Sequence, residues 1–126
     1  GLTNNVASFW YLNSSVFIAA GTEAKMVFID ASSLSVLYSI QTTHTNTITQ
    51  MAQVASNVIV TSSMDHTAQV WNIETRSILR SFTQHTSWVT GCVYLSSGYM
   101  ATSSWDQTVK VWDWRNGSLI TNVQPG

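Results

Sequence analysis

Two sets of side chains in this sequence are of the types that nucleophilic chemistry uses: His44, Thr61 and Asp65, and then His85, Thr102 and Asp106. A histidine can take the proton of a hydroxyl while a carboxylate orients the ring, so each set holds the parts of a nucleophile, a base and an orienter. Their spacing argues for another use. His44 and His85 lie 41 residues apart, as do Thr61 and Thr102, Asp65 and Asp106, and Trp71 and Trp112. An active site is seldom duplicated at every structural period, whereas a device that braces each unit of a repeat recurs with the unit. The duplicated sets are therefore read as structural, and no catalytic residue is assigned.

The period extends well beyond these residues. Val58 to Ile73 (VIVTSSMDHTAQVWNI) overlies Tyr99 to Trp114 (YMATSSWDQTVKVWDW), and a fainter copy, Val16 to Asp30 (VFIAAGTEAKMVFID), overlies Val58 to Asn72 at a spacing of 42. In that first copy Leu2, Ala19, Glu23 and Ile29 stand where the histidine, hydroxyl, aspartate and tryptophan stand in the others, so apolar packing is expected to hold it. Each unit contains four short runs rich in β-branched and aromatic residues between polar turn clusters. They fall at Asn5 to Leu12, Val16 to Gly21, Lys25 to Asp30 and Ser35 to Ile40. The second unit has Thr47 to Val54, Val58 to Ser63, Ala68 to Ile73 and Ser77 to Phe82. The third has Trp88 to Leu95, Tyr99 to Ser104, Thr108 to Trp114 and Ser118 to Val123. An all-β chain with essentially no helix is expected.

Composition narrows the function classes. The 126 residues are 44% hydrophobic and only 9% charged, with a formal net charge of -1. Such a chain is too apolar for disorder, and its polar surface must come from Ser, Thr, Asn and Gln. Lys25, Arg76, Arg80, Lys110 and Arg115 are scattered, which gives no basic field for nucleic acid. The lone Cys92, between Gly91 and Val93, reads as a small core residue. No apolar run approaches the roughly eighteen residues of a membrane helix, and no signal segment opens the chain, so an intracellular, cytoplasmic protein away from membranes is expected. Asn13-Ser14-Ser15 and Asn116-Gly117-Ser118 match the glycosylation acceptor pattern, a match too short to change that reading. His66 is expected to be exposed in a turn. There is no CxxC pair, HExxH helix or glycine-rich phosphate loop, so no metal and no cofactor are expected.

With histidine, hydroxyl, aspartate and tryptophan recurring at fixed offsets, the chain resembles the WD-repeat family, whose period of about 40 to 45 residues marks one four-stranded propeller blade. The family dipeptide is intact at Trp112-Asp113, keeps its aromatic at Trp71-Asn72 and its acid at Ile29-Asp30. The resemblance implies three antiparallel blades of a larger propeller ring, at about 2–43, 44–84 and 85–126. It also implies a hydrogen-bonded relay in the second blade through Trp71, Thr61, His44 and Asp65. Trp112, Thr102, His85 and Asp106 form the relay of the third.

The same resemblance places a partner-binding face at the start of each innermost strand and just before the turn aspartate. In this chain the positions are Trp88, Thr90 and Trp105, then Thr47, Thr49 and Met64, then Asn5, Ala7 and Thr22. Trp88 and Trp105 lie outside the relay, so they either offer a contact surface or pack on each other or a neighbouring blade. Trp10 and Trp114 read as packing residues. The function implied is that of a non-catalytic scaffold or adaptor holding a protein or peptide partner. The alternatives are a purely structural propeller segment and, last, a hydrolase using one His/Thr/Asp set. Closed propellers use four to eight blades, and this chain opens on Gly1 with only three. Either a longer chain supplies the rest, or copies of this one meet head to tail, a six-bladed homodimer being preferred over a nine-bladed trimer.

Overall fold

The computed structural model describes residues 6–96 and 98–124, with the side chains of 6 and 7 left out. Asn5 and Leu2 lie outside the described residues, as does the side chain of Ala7. Among the described residues there are twelve β-strands and no helix. The chain meanders through three four-stranded antiparallel sheets. The first holds β1 (Val6–Tyr11), β2 (Val16–Gly21), β3 (Lys25–Asp30) and β4 (Val36–Gln41). The second holds β5 (Ile48–Ala55), β6 (Val58–Ser63), β7 (Ala68–Asn72) and β8 (Ser77–Phe82). The third holds β9 (Val89–Tyr94), β10 (Tyr99–Ser104), β11 (Val109–Asp113) and β12 (Ser118–Val123).

The sheets stack face to face, and the innermost strands β1, β5 and β9 run beside one another. Side chains alternate across a strand, so each sheet has two faces to cover. One face of the first sheet, with Ile18, Ala20, Met26, Phe28 and Ile40, packs against Ile48, Met51, Ile59, Trp71 and Ile73 of the second. The other face of the second, with Ala52, Val58, Val60, Ala68, Val70 and Phe82, packs against Cys92, Met100, Trp112 and Trp114 of the third. Trp10 bridges both clusters, and its Nε1–H donates to Gln53 Oε1 at 3.2 Å. The first sheet does rely on apolar packing. Within it Phe28 stacks on Tyr38, with ring centroids 4.3 Å apart, while Ile29 lies half-buried on the opposite face. The Arg76 guanidinium then covers Tyr38 at 4.0 Å from the ring centre, tying a turn of the second sheet to the first.

Strand ends differ slightly from the sequence expectation, because Thr47, Trp88 and Thr108 lie just outside their strands. The carbonyls of Thr47 and Trp88 accept the N–H groups of Met64 and Trp105, at 3.0 and 2.9 Å. These bonds draw the start of each innermost strand toward the β6–β7 or β10–β11 turn. Register shifts recur with the repeat, at Ile48/Gln50 in β5, and at Phe28/Ile29, Val70/Trp71 and Val111/Trp112 where the outermost strands pair. Such bulges add local twist, which lets neighbouring flat faces fan around an axis.

Candidate functional site

The relay residues of the second and third sheets meet in space with nearly the same geometry. Trp71 Nε1–H donates to Thr61 Oγ1 at 3.2 Å, Thr61 Oγ1 lies 2.7 Å from His44 Nε2, and His44 Nδ1 lies 2.8 Å from Asp65 Oδ2. The matching distances for Trp112, Thr102, His85 and Asp106 are 3.0, 2.7 and 2.8 Å. The indole is a donor only, so the threonine accepts from it and gives its own proton to Nε2, which leaves the histidine proton on Nδ1, facing the carboxylate. All four histidine and threonine side chains are buried.

The aspartates close the loop between two turns. Asp65 Oδ2 also accepts the Thr45 N–H at 3.0 Å, and Oδ1 accepts from the Thr67 N–H and hydroxyl at 2.9 and 2.5 Å. Asp106 treats Thr86 and Thr108 in the same way. Burial pushes both carboxyls up, but donors from the paired histidine and threonine outweigh it and hold them well below the usual carboxylate range. His85 moves down, chiefly because burial disfavours its cation and despite the attraction of Asp106. Thr67 and Thr108 were not singled out in the sequence, although they too are 41 residues apart. In the first sheet the corresponding turn carries a Glu23–Lys25 ion pair at 3.0 Å.

At the same end of the sheets, the two tryptophans of the third unit that lie outside the relay come together. Trp88 precedes β9 and Trp105 follows β10, and their rings stack with centroids 4.2 Å apart and planes 27° from parallel. Trp88 is half-buried, yet Trp105 remains 63% exposed. The pair thus packs on itself and still presents a surface. Thr47 and Met64 occupy the corresponding places on the second sheet, both half-buried. Thr49 and Thr90 sit at the bulges of β5 and β9 with hydroxyls turned inward: Thr49 Oγ1 donates to the Val89 carbonyl at 2.6 Å, and Thr90 Oγ1 lies 3.2 Å from Ser103 Oγ. Thr22 is exposed on the β2–β3 turn. His66 is exposed, with φ of 75°.

One junction was not legible beforehand. Gln50 Oε1 accepts the Cys92 N–H at 3.0 Å, and a Cβ on Gly91 would come within 2.9 Å of that oxygen, so a larger residue where β9 meets β5 would displace the Gln50 side chain from this bond. Cys92 lies in the core beside this contact, and burial pushes its thiol up to about 12, leaving no reactive thiolate. A shallow hollow of about 180 Å³ opens beside Gln50, Gly91, Val93 and Val109. Among the described residues no three His, Cys, Asp or Glu side chains gather as a metal would need.

Comparison with known proteins agrees with this architecture. No curated protein matches the chain in sequence. Among solved structures, the WD40 β-propeller domain of Doa1 superposes with a TM-score of 0.91 at 20% identity, covering 99% of this chain and 42% of that one. The WD40 repeats of RRP9 and the structure of U3-55K each give 0.88 at 18% identity, with 99% of this chain covered and 40% and 41% of theirs. This chain thus spans about two-fifths of the length of the structures it resembles, and at such identities the likeness is one of fold. The sequence pattern of the family described as WD domain, G-beta repeat matches residues 35–72 and 76–113, more than half of the chain. Each match begins near the outermost strand of one sheet and runs through the three inner strands of the next. With the duplicated relay and the meandering four-stranded sheets, this match places the chain in the WD40-repeat family, and its three sheets are β-propeller blades.

Proposed function

We propose that this chain forms part of a non-catalytic propeller that holds a protein or peptide partner at the rim built by Trp88 and Trp105. The observation that carries this reading is the stacked pair itself, with Trp105 63% exposed at a position where the second blade has only a half-buried methionine. Large aromatic rings that are held rigidly and left open dominate binding energy at protein interfaces. The non-catalytic part rests on access. The Thr61 and Thr102 hydroxyls are buried on the faces that meet the preceding blade, and both nitrogens of each histidine are already engaged. The test is partner recovery by the Trp88→Ala, Trp105→Ala double variant, with a loss of about 2 kcal/mol or more in affinity expected. Recovery of every partner at full affinity overturns the site.

A second reading rests on the two ends of the array. Adding 41 to the residues that cover the third blade gives Val93, Tyr99, Val109, Val111 and Val123 on its own outer face, three of them exposed. Subtracting 42 from Met51, Ile59 and Trp71 gives Phe9, Phe17 and Ile29 on the outer face of the first blade, with Phe9 66% exposed. These are the two halves of a blade junction, left unmade. In this reading the array completes a ring, either with further blades of a longer chain or with another copy of itself, and a homodimer would give six blades.

A further inference from the structure

One outer face of the array is hollow and the other bears a knob, and we infer that the two fit one another: Phe9 of one copy of this chain seats beside Gly91 and Ala101 of a second copy. This rests on the reading of the array as an incomplete ring. Cys92, Met100 and Trp112 face the second blade, so the alternation of side chains turns Gly91, Val93, Ala101, Ser103 and Val109 to the outer face of the third. These residues line the hollow of about 180 Å³. Roughly 150 Å³ of cavity accommodates a benzene ring. On the outer face of the first blade Phe9 stands 66% exposed, with the Phe17 ring beside it at 6.1 Å between centroids.

The junctions inside the chain show where each residue of a further one would stand. Between the second and third blades, Cys92 lies over Val60 and Gln50: its Sγ is 3.8 Å from the Val60 carbonyl oxygen, and its N–H donates to Gln50 Oε1 at 3.0 Å. One repeat earlier, Met51 takes the place of Cys92, and Ser8 and Ile18 take those of Gln50 and Val60. One repeat later, Gly91 and Ala101 form that side of the seam, and the first blade of this chain has Phe9 at the place of Cys92. The three side chains thus keep nearly the same total size from seam to seam, while the bulk passes from Gln50 and Val60 to Phe9. Protein interiors pack to a nearly constant density, so a face with glycine and alanine here needs a large side chain opposite. This chain carries that side chain on its own other end, which selects a second copy as the occupant. The polar edge of the seam keeps the same register. Thr49 Oγ1 donates to the Val89 carbonyl across the junction at 2.6 Å, whereas its counterpart Thr90 bonds Ser103 within its own blade, and Val6 stands at the place of Val89 in a first blade.

The contact is head to tail, so two copies close six blades through two identical junctions. The experiment is sedimentation equilibrium of the full chain and its variants, with circular dichroism of each as the check on folding. Phe9→Asp and Val93→Asp each change a side chain that is more than half exposed, one on either face. Each variant alone is expected to self-associate about tenfold more weakly or worse, and Phe9→Ala repeats the first test without adding a charge. An equimolar mixture of Phe9→Asp and Val93→Asp is expected to recover dimer, because one intact Phe9 then meets one intact hollow. Trp105→Ala, at the rim and off both faces, is expected to associate as the unaltered chain does. Self-association that the Phe9 variants leave unchanged, a mixture that recovers no dimer, or equal weakening by Trp105→Ala overturns this junction while the ring reading stands. An unaltered chain that stays folded and monomeric at every concentration overturns both.

Discussion

Thr61 and Thr102 are the hinge atoms of the relay, since a single hydroxyl both accepts the indole proton and fixes the histidine tautomer. Replacing Thr102 with valine keeps the shape but leaves the Trp112 N–H and His85 Nε2 buried without partners. The expected cost is about 2–4 kcal/mol, with Thr102→Ser costing roughly 1 kcal/mol or less, as measured by chemical denaturation. The relay also makes stability depend on pH. The folded His85 binds a proton less readily than the unfolded one, whose pKa is 6.5, so its contribution is complete above that value and is lost as the pH falls from there through the folded pKa. Asp65 and Asp106 are held below their ordinary 3.8, so theirs persists to lower pH and is lost last, below that value. Denaturation midpoints are expected to fall in two stages, with the first reduced in His85→Gln. A midpoint unchanged from pH 7.5 to pH 5 would contradict this account.

At the scale of the element, the same turn is built three times from different residues. Asp30 Oδ1 accepts the N–H groups of Ser32 and Ser33, Asn72 Oδ1 those of Glu74 and Thr75, and Asp113 Oδ1 those of Arg115 and Asn116. This explains why the family dipeptide tolerates Asn72 and retains Asp30 without its tryptophan: the turn needs a side-chain acceptor, and the aromatic belongs to the relay. Each turn then passes through a left-handed residue, Leu34 at φ 59°, Arg76 at 61° and Gly117 at 82°. Only the third is glycine. Leu34→Gly is expected to stabilise the chain by roughly 1 kcal/mol, because leucine bears the strain and is 71% exposed, while Gly117→Ala is expected to cost about as much. Thermal melts of the two variants check this, and a destabilised Leu34→Gly would refute it.

Those turns also mark where the sequence stops being legible. The blades, their strands and both relays could be read because the 41-residue period repeats residue types whose roles depend on type. The left-handed turns could not, since leucine and arginine give no sign of φ above zero. Nor could the inward commitment of Thr49 and Thr90, which depends on bulges that displace the side chains from simple alternation. The stacking of Trp88 on Trp105 stood in the sequence only as one of two alternatives, and its open edge depends on how the two loops are tied.

For the whole molecule, the decisive feature is the pair of outer faces. Between neighbouring blades, the apolar face of one meets the relay face of the next, and both junctions seen here bury large aromatic side chains. The third blade ends the array with the first kind of face, and the first blade begins it with the second. If these faces are covered as proposed, the function argued above would belong to a closed ring, in which Trp88 and Trp105 would occupy part of one broad surface. Multi-angle light scattering of the isolated 126-residue chain tests this most directly. Self-association, with a homodimer of twice 13.9 kDa as the simplest closed species, is the predicted result. A stable, monodisperse monomer of 13.9 kDa would contradict it.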